Sequence, residues 1–355
     1  MESMSRICID ARFWGIKHTG IGRYVENLID NLPGEVVLIV HPELKNEPKL
    51  ARFKKYYAKS HPYSYLAQFE MLGLLLKINP DLLHVPHFTI PVLWWGKMVV
   101  TIHDLIKHLS KGPATTTRHP FIYWAKYLQY LLIVWFAVHR ADHIIVPAHY
   151  WKDIIVKKYQ LNGSKVSVTY EGVSSVFSKT SKPQIQNPKS QFLIYAGNLY
   201  PHKNIPLLIT AVEKIKILLK IICARNIFES RLPKSEHVSY LGRLSDQEMM
   251  TEYGKAQAFV FPSLIEGFGL PGLEAMAAGL PVIAARASCL PEIYGDAALY
   301  FNPYDVNDLI EKIKSVISDV NLQKSLIQRG QRQVKKYSWA KMARQTWEIY
   351  QNCLK

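Results

Sequence analysis

Apolar residues in this chain come in short unbroken runs, each followed by a polar or glycine-rich turn. One series of runs occupies residues 7–10, 36–40, 82–87, 99–105, 143–147 and 166–173. A second occupies residues 192–196, 219–224, 238–241, 258–261, 281–285 and 298–301. Runs this short, apolar on both faces, are the pattern of strands in a parallel sheet covered by helices. Longer segments of helical period lie between them. Each series therefore predicts a doubly wound parallel α/β sheet, and the chain predicts two such domains. Residues 178–191 are polar and proline-bearing, as a linker is. The expected division is 1–180, 190–337, and a terminal helix over 338–355 holding Trp339, Met342, Trp347 and Tyr350. Asp305 or Asn307 is expected to cap the helix that opens the helical tail.

Two segments break this rhythm. Residues 121–138 form the most apolar stretch, 18 residues that reach the length of a membrane span. Lys126 and Gln129 fall inside it and His139-Arg140-Ala141-Asp142 leads at once into another strand. A helix buried between strands is the expectation. Residues 51–66 mix Arg52, Lys54, Lys55 and Lys59 with Tyr56, Tyr57, Tyr63 and Tyr65. They read either as a surface meeting anionic headgroups or as a solvated loop.

Composition narrows the class. The chain has 355 residues, 48% of them apolar, which suits two ordinary domains with full cores. The net charge is +16, with +9 over residues 1–180 and +7 over the remainder. A spread excess of this kind argues for anionic small molecules or an anionic surface and against nucleic acid, which prefers a concentrated patch. Cys8, Cys223, Cys289 and Cys353 are dispersed without metal-type spacing. The first residues carry Glu2, Arg6 and Asp10 and no apolar leader core. The expected compartment is reducing and cytoplasmic, with peripheral contact at the inner face of the cell membrane.

Candidate chemistry centres on residues 262–276. An apolar strand ends in Pro262-Ser263, passes Glu266-Gly267-Phe268-Gly269, and enters a helix at Leu270-Pro271. Glycines allow close approach of a ligand, and free amides at a helix start favour a phosphate. Glu274, about one turn into the helix, can accept from a pair of sugar or ribose hydroxyls. Glu266 and Glu274 thus bracket a cradle for a phosphorylated, hydroxyl-rich ligand. Lys203, after the first strand of the second series, is a suitable phosphate counter-charge. Gly20-Ile21-Gly22 opens a helix after the first strand of the chain. His103-Asp104 ends another strand at the edge where open α/β sheets bind ligands.

These segments resemble the retaining glycosyltransferases of family GT4. The resemblance runs through Val238-Ser239-Tyr240-Leu241-Gly242-Arg243, Phe261-Pro262-Ser263, Glu266-Gly267-Phe268-Gly269-Leu270-Pro271 and Glu274-Ala275-Met276-Ala277-Ala278-Gly279-Leu280-Pro281. In the first half, Gly20-Ile21-Gly22-Arg23-Tyr24 and Thr101-Ile102-His103-Asp104-Leu105 are similar to the family's mannosyltransferase-like branch. The resemblance implies the GT-B fold, two Rossmann-like domains facing across a cleft, with a last helix crossing back. It implies metal-independent transfer of a hexose, mannose favoured, from a nucleotide sugar such as GDP-mannose. The acceptor would be a glycan or polyprenyl-linked sugar in O-antigen or other surface polysaccharide synthesis. No cofactor beyond the donor is implied.

Under this resemblance Glu274 holds the ribose and Glu266 the transferred sugar. The amides of Gly267, Phe268, Gly269 and Leu270 bind sugar and phosphate, and Lys203 pairs the diphosphate. His103 contacts the donor sugar with Asp104 beside it, and Gly20 and Gly22 bring a loop to the reacting centre. Asn198 stands where the family commonly has arginine, which removes one cation; Arg243 or Arg286 could compensate. Glu171 stands where Asn often precedes Gly-Val. The alternatives are a nucleotide-sugar epimerase or phosphorylase of the same fold, and a degenerate binding protein.

Overall fold

Two parallel sheets carry the chain in a computed structural model that describes residues 5–15, 19–112, 115–116, 119–178, 192–224 and 227–355. The first sheet is built from β1 (Ile7–Asp10), β2 (Val37–Val40), β3 (Lys54–Tyr57), β4 (Leu82–Val85), β5 (Met98–Thr101), β6 (His143–Val146) and β7 (Val166–Val168). Its order is β3-β2-β1-β4-β5-β6-β7, with every pairing parallel. The helices up to residue 178, in chain order, are α1 (Thr19–Asn31), α2 (Leu66–Ile78), α3 (Ile106–Leu109), α4 (Pro120–Arg140), α5 (His149–Tyr159) and α6 (Ser175–Ser178), of which α3 and α6 belong to the second unit. β1, β4 and β5 are buried along their whole length, as continuous apolar runs require.

The second sheet has six strands: β8 (Phe192–Ala196), β9 (Leu218–Ile222), β10 (Val238–Gly242), β11 (Ala258–Phe261), β12 (Val282–Ala285) and β13 (Ala298–Phe301). Their order is β10-β9-β8-β11-β12-β13, again parallel throughout. The helices are α7 (Ile205–Ile215), α8 (Asp246–Tyr253), α9 (Leu270–Ala277), α10 (Leu290–Tyr294), α11 (Val306–Ser318), α12 (Val320–Val334) and α13 (Trp339–Leu354). Ser245 and Glu248 form a reciprocal capping box at α8. Asp305 caps α11, accepting from the Asn307 and Asp308 amides.

The chain divides into two compact units. The first takes residues through Leu105, Pro120–Glu171 and Trp339–Lys355, and the second takes Ile106–His119 and Gly172–Ser338. The division therefore falls at Glu171, ahead of the polar stretch predicted as linker. Of that stretch, residues 179–191 lie outside the described residues, and Ser178 ends α6. The terminal helix α13 packs on α1 within the first unit. Gly34 makes room for it, since a Cβ there would lie 2.2 Å from the Trp347 ring.

Beneath α13 the Tyr350 hydroxyl bonds His84 Nδ1, and His84 Nε2 lies 2.9 Å from Thr101 Oγ1. Burial, and secondarily the charge of His103, lowers the His84 pKa to about 3. The folded chain thus holds this imidazole neutral, while the unfolded chain protonates it near the ordinary pKa of about 6.5. Its contribution is complete above that pH and is lost as pH falls towards 3, at about 1.4 kcal/mol per pH unit. Urea midpoints should therefore fall less steeply between pH 6.5 and 4 in His84→Gln than in the unsubstituted chain; equal slopes would contradict this.

Two expectations are corrected. Residues 54–57 form an edge strand, β3, in register with β2, rather than a loop. Lys54 and Tyr57 are exposed, and charged side chains on an edge strand discourage pairing with another chain. The segment after it is anchored, because the Glu70 carboxylate accepts from the Lys59 and Ser60 amides at 2.7 and 2.8 Å. The helix expected to be buried between strands, α4, is instead mostly exposed. Only Tyr130, Val134, Ala137 and Val138 are buried along its 21 residues.

Candidate active site

Strand order locates the ligand-binding edge of each unit. In an open parallel sheet the crevice opens beyond the carboxyl ends of the strands where the order reverses. In the second sheet that point lies between β8 and β11, and the loops that follow these strands are residues 197–204 and 262–269. They carry the candidate residues found by motif. The Leu264 amide donates to the His202 carbonyl at 2.8 Å and ties one loop to the other.

At this junction Lys203 Nζ donates to Glu266 Oε1 at 2.6 Å. Both residues are buried, Lys203 at 8% exposure and Glu266 at 6%. The ammonium also lies 5.6 Å from the centre of the Phe261 ring. Lys203 ends a short 3-10 turn, residues 201–203, which Asn204 closes in a left-handed conformation. A buried ion pair is costly to assemble and strongly destabilising to break, so the two loops are held in register by it. The Glu266 amide donates to Ser288 Oγ at 3.0 Å, and Cys289 Sγ donates to the Glu266 carbonyl at 3.3 Å.

The glycine turn is shaped by the protein's own residues. Gly269, at φ +97°, is the N-cap of α9, and its carbonyl accepts from the Tyr294 hydroxyl at 2.6 Å. A Cβ at Gly269 would stand 2.7 Å from that hydroxyl, and one at Gly272 only 2.2 Å. These positions thus admit Tyr294, which fixes the entry into α9. Phe268 is buried with its ring edge-on to Tyr337 at 5.4 Å. Glu274 is buried one turn inside α9, at 4% exposure. Leu270 and Pro271 form the first turn of the same helix.

The remaining candidates of this unit make contacts of their own. The Asn198 side chain closes a turn, accepting from the Tyr200 amide at 3.2 Å, while its carbonyl accepts from the Tyr195 hydroxyl at 2.8 Å. Arg243 is exposed beyond β10, and the Arg286 guanidinium stacks 4.8 Å from the Tyr300 ring. Asn198 is therefore a turn-former in this structure, and the site's buried cation is Lys203.

The first unit has its own edge at the β1/β4 reversal. His103, after β5, donates from Nε2 to the Pro86 carbonyl at 3.1 Å and faces the Tyr24 ring edge-on at 4.6 Å. Its Nδ1 stands 3.6 Å from Glu171 Oε1. Sequence reasoning paired His103 with Asp104; the carboxylate found at Nδ1 is Glu171, buried and 68 positions further on. Burial, and then the charge of Asp104, raise the Tyr63 hydroxyl to about 12. Gly20 is exposed at the start of α1. Gly22 is packed: a Cβ there would meet the Gly15 carbonyl oxygen at 1.9 Å, so its bareness serves the chain's own loop.

Sequence reasoning missed a second buried ion pair, Asp10–Arg12, just beyond β1. Arg12 Nε and Nη2 donate to the two Asp10 oxygens at 2.8 and 2.6 Å, in the bidentate geometry that suits a guanidinium. A charged residue two places after a buried strand, at the reversal of strand order, was the available signal. Beside it His87 is held by Thr89 and by the Tyr63 hydroxyl at 3.2 Å.

Comparison with known proteins gives the family. The family model Glycosyltransferase Family 4 matches residues 18–176, and Glycosyl transferases group 1 matches residues 177–333. The O-antigen chain mannosyltransferase RfbU of Salmonella typhimurium is 29% identical over 296 residues, covering 80% of this chain and 77% of that protein. O-antigen chain mannosyltransferase B of Escherichia coli is 25% identical, covering 94% and 96%. Among solved structures, sucrose-phosphate synthase of Thermosynechococcus elongatus superimposes with a TM-score of 0.75 at 17% identity, covering 98% of both chains. HepE of Anabaena in complex with UDP and glucose gives 0.74 at 15% identity, covering 98% of this chain and 100% of that one. The two parallel-sheet units are those of the GT-B fold, and the chain belongs to the family 4 glycosyltransferases.

Proposed function

We propose that this enzyme transfers a hexose, mannose favoured, from a nucleotide sugar to a glycan or polyprenyl-linked acceptor in surface polysaccharide synthesis, with retention of configuration. The observation that carries the reading is the buried Lys203–Glu266 pair at the strand-order reversal of the second sheet, with Glu274 a helical turn beyond. Relatives with the printed names of O-antigen mannosyltransferases support the sugar and the acceptor class, and a neighbour in complex with UDP and glucose supports the donor class.

The chemistry follows from exchange within the pair. An arriving diphosphate competes for the Lys203 ammonium, and Glu266 is released to accept from hydroxyls of the sugar. Glu274 accepts from the ribose hydroxyls, and amides over 267–270 contribute donors to sugar and phosphate. The bond between the sugar's anomeric carbon and the phosphate oxygen breaks as the acceptor oxygen bonds that carbon on the same face. The departing phosphate takes the acceptor's proton. Lys203 stabilises charge that grows on the leaving group, the role in which a preplaced cation is most effective. We assign this task to Lys203 and to no metal ion, and His103, with Asp104 and Glu171 near it, to contact with the donor sugar. Gly20 at the open start of α1 leaves space for a substrate on the first unit.

A thermal-shift screen tests the donor. GDP-mannose at about a hundred times its dissociation constant adds about 2.7 kcal/mol of stability by mass action, a clear rise in melting temperature. A rise with UDP-, ADP- or dTDP-sugars alone would move the assignment to another donor. No rise with any nucleotide sugar would overturn it.

A further inference from the structure

The helix α4 shows an apolar face left exposed among the described residues. Its buried positions, Tyr130, Val134, Ala137 and Val138, form one stripe. On the opposite side Phe121, Trp124, Leu128, Leu132, Trp135 and Phe136 follow helical spacing and make a second stripe. Phe121 is 79% exposed, Leu128 60%, Leu132 54% and Trp135 48%. A contiguous apolar face of this length on a folded protein marks a contact surface. It does not end with the helix. Arg140 Nη2 donates to the Trp94 carbonyl at 2.9 Å, and its guanidinium lies 4.6 Å from the ring of Trp95, itself 78% exposed.

We infer that α4 is an in-plane membrane helix: its outer face enters the interfacial layer of an anionic bilayer while its inner stripe stays on the protein. Three observations select this occupant. First, the helix cannot cross the bilayer in this fold. It connects β5 to β6, adjacent parallel strands of one sheet, and β6 starts at His143, directly after the helix ends at Arg140. Its buried stripe packs on β5, so the helix is held along the protein and is not free to insert end-on. Second, the charge is one-signed. Along α4 the chain has two Lys or Arg and no Asp or Glu. Lys126 is within α4 and Arg140 ends it, and Lys165 Nζ donates to the His139 carbonyl at 3.0 Å. A basic margin attracts anionic headgroups and repels a second copy of a chain whose net charge is +16. Third, the ring content suits a boundary. Trp has an apolar body and a polar tip, and the outer stripe holds Trp124 and Trp135.

The inference is independent of donor binding, and one set of samples separates the two. The full chain is sedimented with phosphatidylcholine vesicles, with and without phosphatidylglycerol, and nucleotide-sugar binding is measured in parallel. The unsubstituted chain is expected to sediment with the phosphatidylglycerol vesicles and to be released by salt. Leu128→Glu/Leu132→Glu should partition about tenfold or more weaker, with its melting temperature and nucleotide binding retained. Val320→Glu, an exposed apolar position of the second unit, should leave partitioning unchanged. Brominated acyl chains should quench the tryptophan fluorescence of the unsubstituted chain, a readout that needs no variant. The inference is overturned if the unsubstituted chain stays in the supernatant with both vesicle types, or if the double variant partitions normally. It is equally overturned if bromolipid fails to quench, or if ultracentrifugation finds a dimer that the double variant dissolves.

Discussion

Lys203→Met should abolish transfer and also loosen the second unit. The substitution leaves the Glu266 carboxylate buried without the ammonium that now sits 2.6 Å away. Removing one partner of a buried pair costs about 3–5 kcal/mol, which in a unit of this size lowers the melting temperature on the order of 10 °C. Glu266→Gln should do similar damage by stranding the ammonium. Stability and catalysis separate in the double variant Lys203→Met/Glu266→Gln. There neither charge remains, and a neutral pair of similar volume is often as stable as the ions it replaces. Melting should recover most of the loss, while kcat stays down by about 10³-fold or more, because the cation aimed at the leaving group is gone. Recovery of both would make the pair a structural clasp only. Recovery of neither would leave the stability argument unsupported.

Glu274→Gln should act on binding. The side chain is buried within α9, and the amide keeps its shape while removing its charge. Hydrogen bonds to a charged acceptor are worth about 1.5–3 kcal/mol, so the affinity for a nucleoside diphosphate should fall roughly 10–150-fold. The loss should appear in KM more than in kcat, since the ribose is held alike in ground and transition states. Calorimetric titration with GDP and UDP checks this. Affinity within twofold of the unsubstituted chain would remove Glu274 from the nucleotide site.

What the sequence revealed, and what it hid, follows from the range of each interaction. Buried parallel strands announce themselves as short apolar runs, so β1, β8, β11 and β13 fall on the predicted residues, and the others overlap theirs, β5 and β7 ending four and five residues before the predicted run does. β3 was not read because Lys-Lys-Tyr-Tyr has no apolar run; an edge strand is solvated on one side and needs none. The character of α4 was misread for a different reason. Hydropathy says that a helix is apolar, not what covers it, and here one stripe meets the sheet and the other meets solvent. The glycine turn was legible as motif, but its immediate cause was not: Tyr294 lies 25 positions after Gly269, and nothing local to either residue announces the contact. The Lys203–Glu266 bond spans 63 positions, and His103–Glu171 spans 68. Each joins the ends of two strands, so only the strand order brings the partners together.

The central claim is that the second unit holds the donor nucleotide at the β8/β11 reversal, on Lys203, Glu266 and Glu274. A crystal structure with a nucleoside diphosphate bound tests it most directly. The expected map places a phosphate oxygen about 3 Å from Lys203 Nζ and the ribose hydroxyls at similar distance from the Glu274 carboxylate, with the Lys203–Glu266 contact lengthened or shared. A nucleotide found elsewhere, or one bound at this edge with the ribose away from Glu274 and the Lys203–Glu266 pair undisturbed, would contradict it.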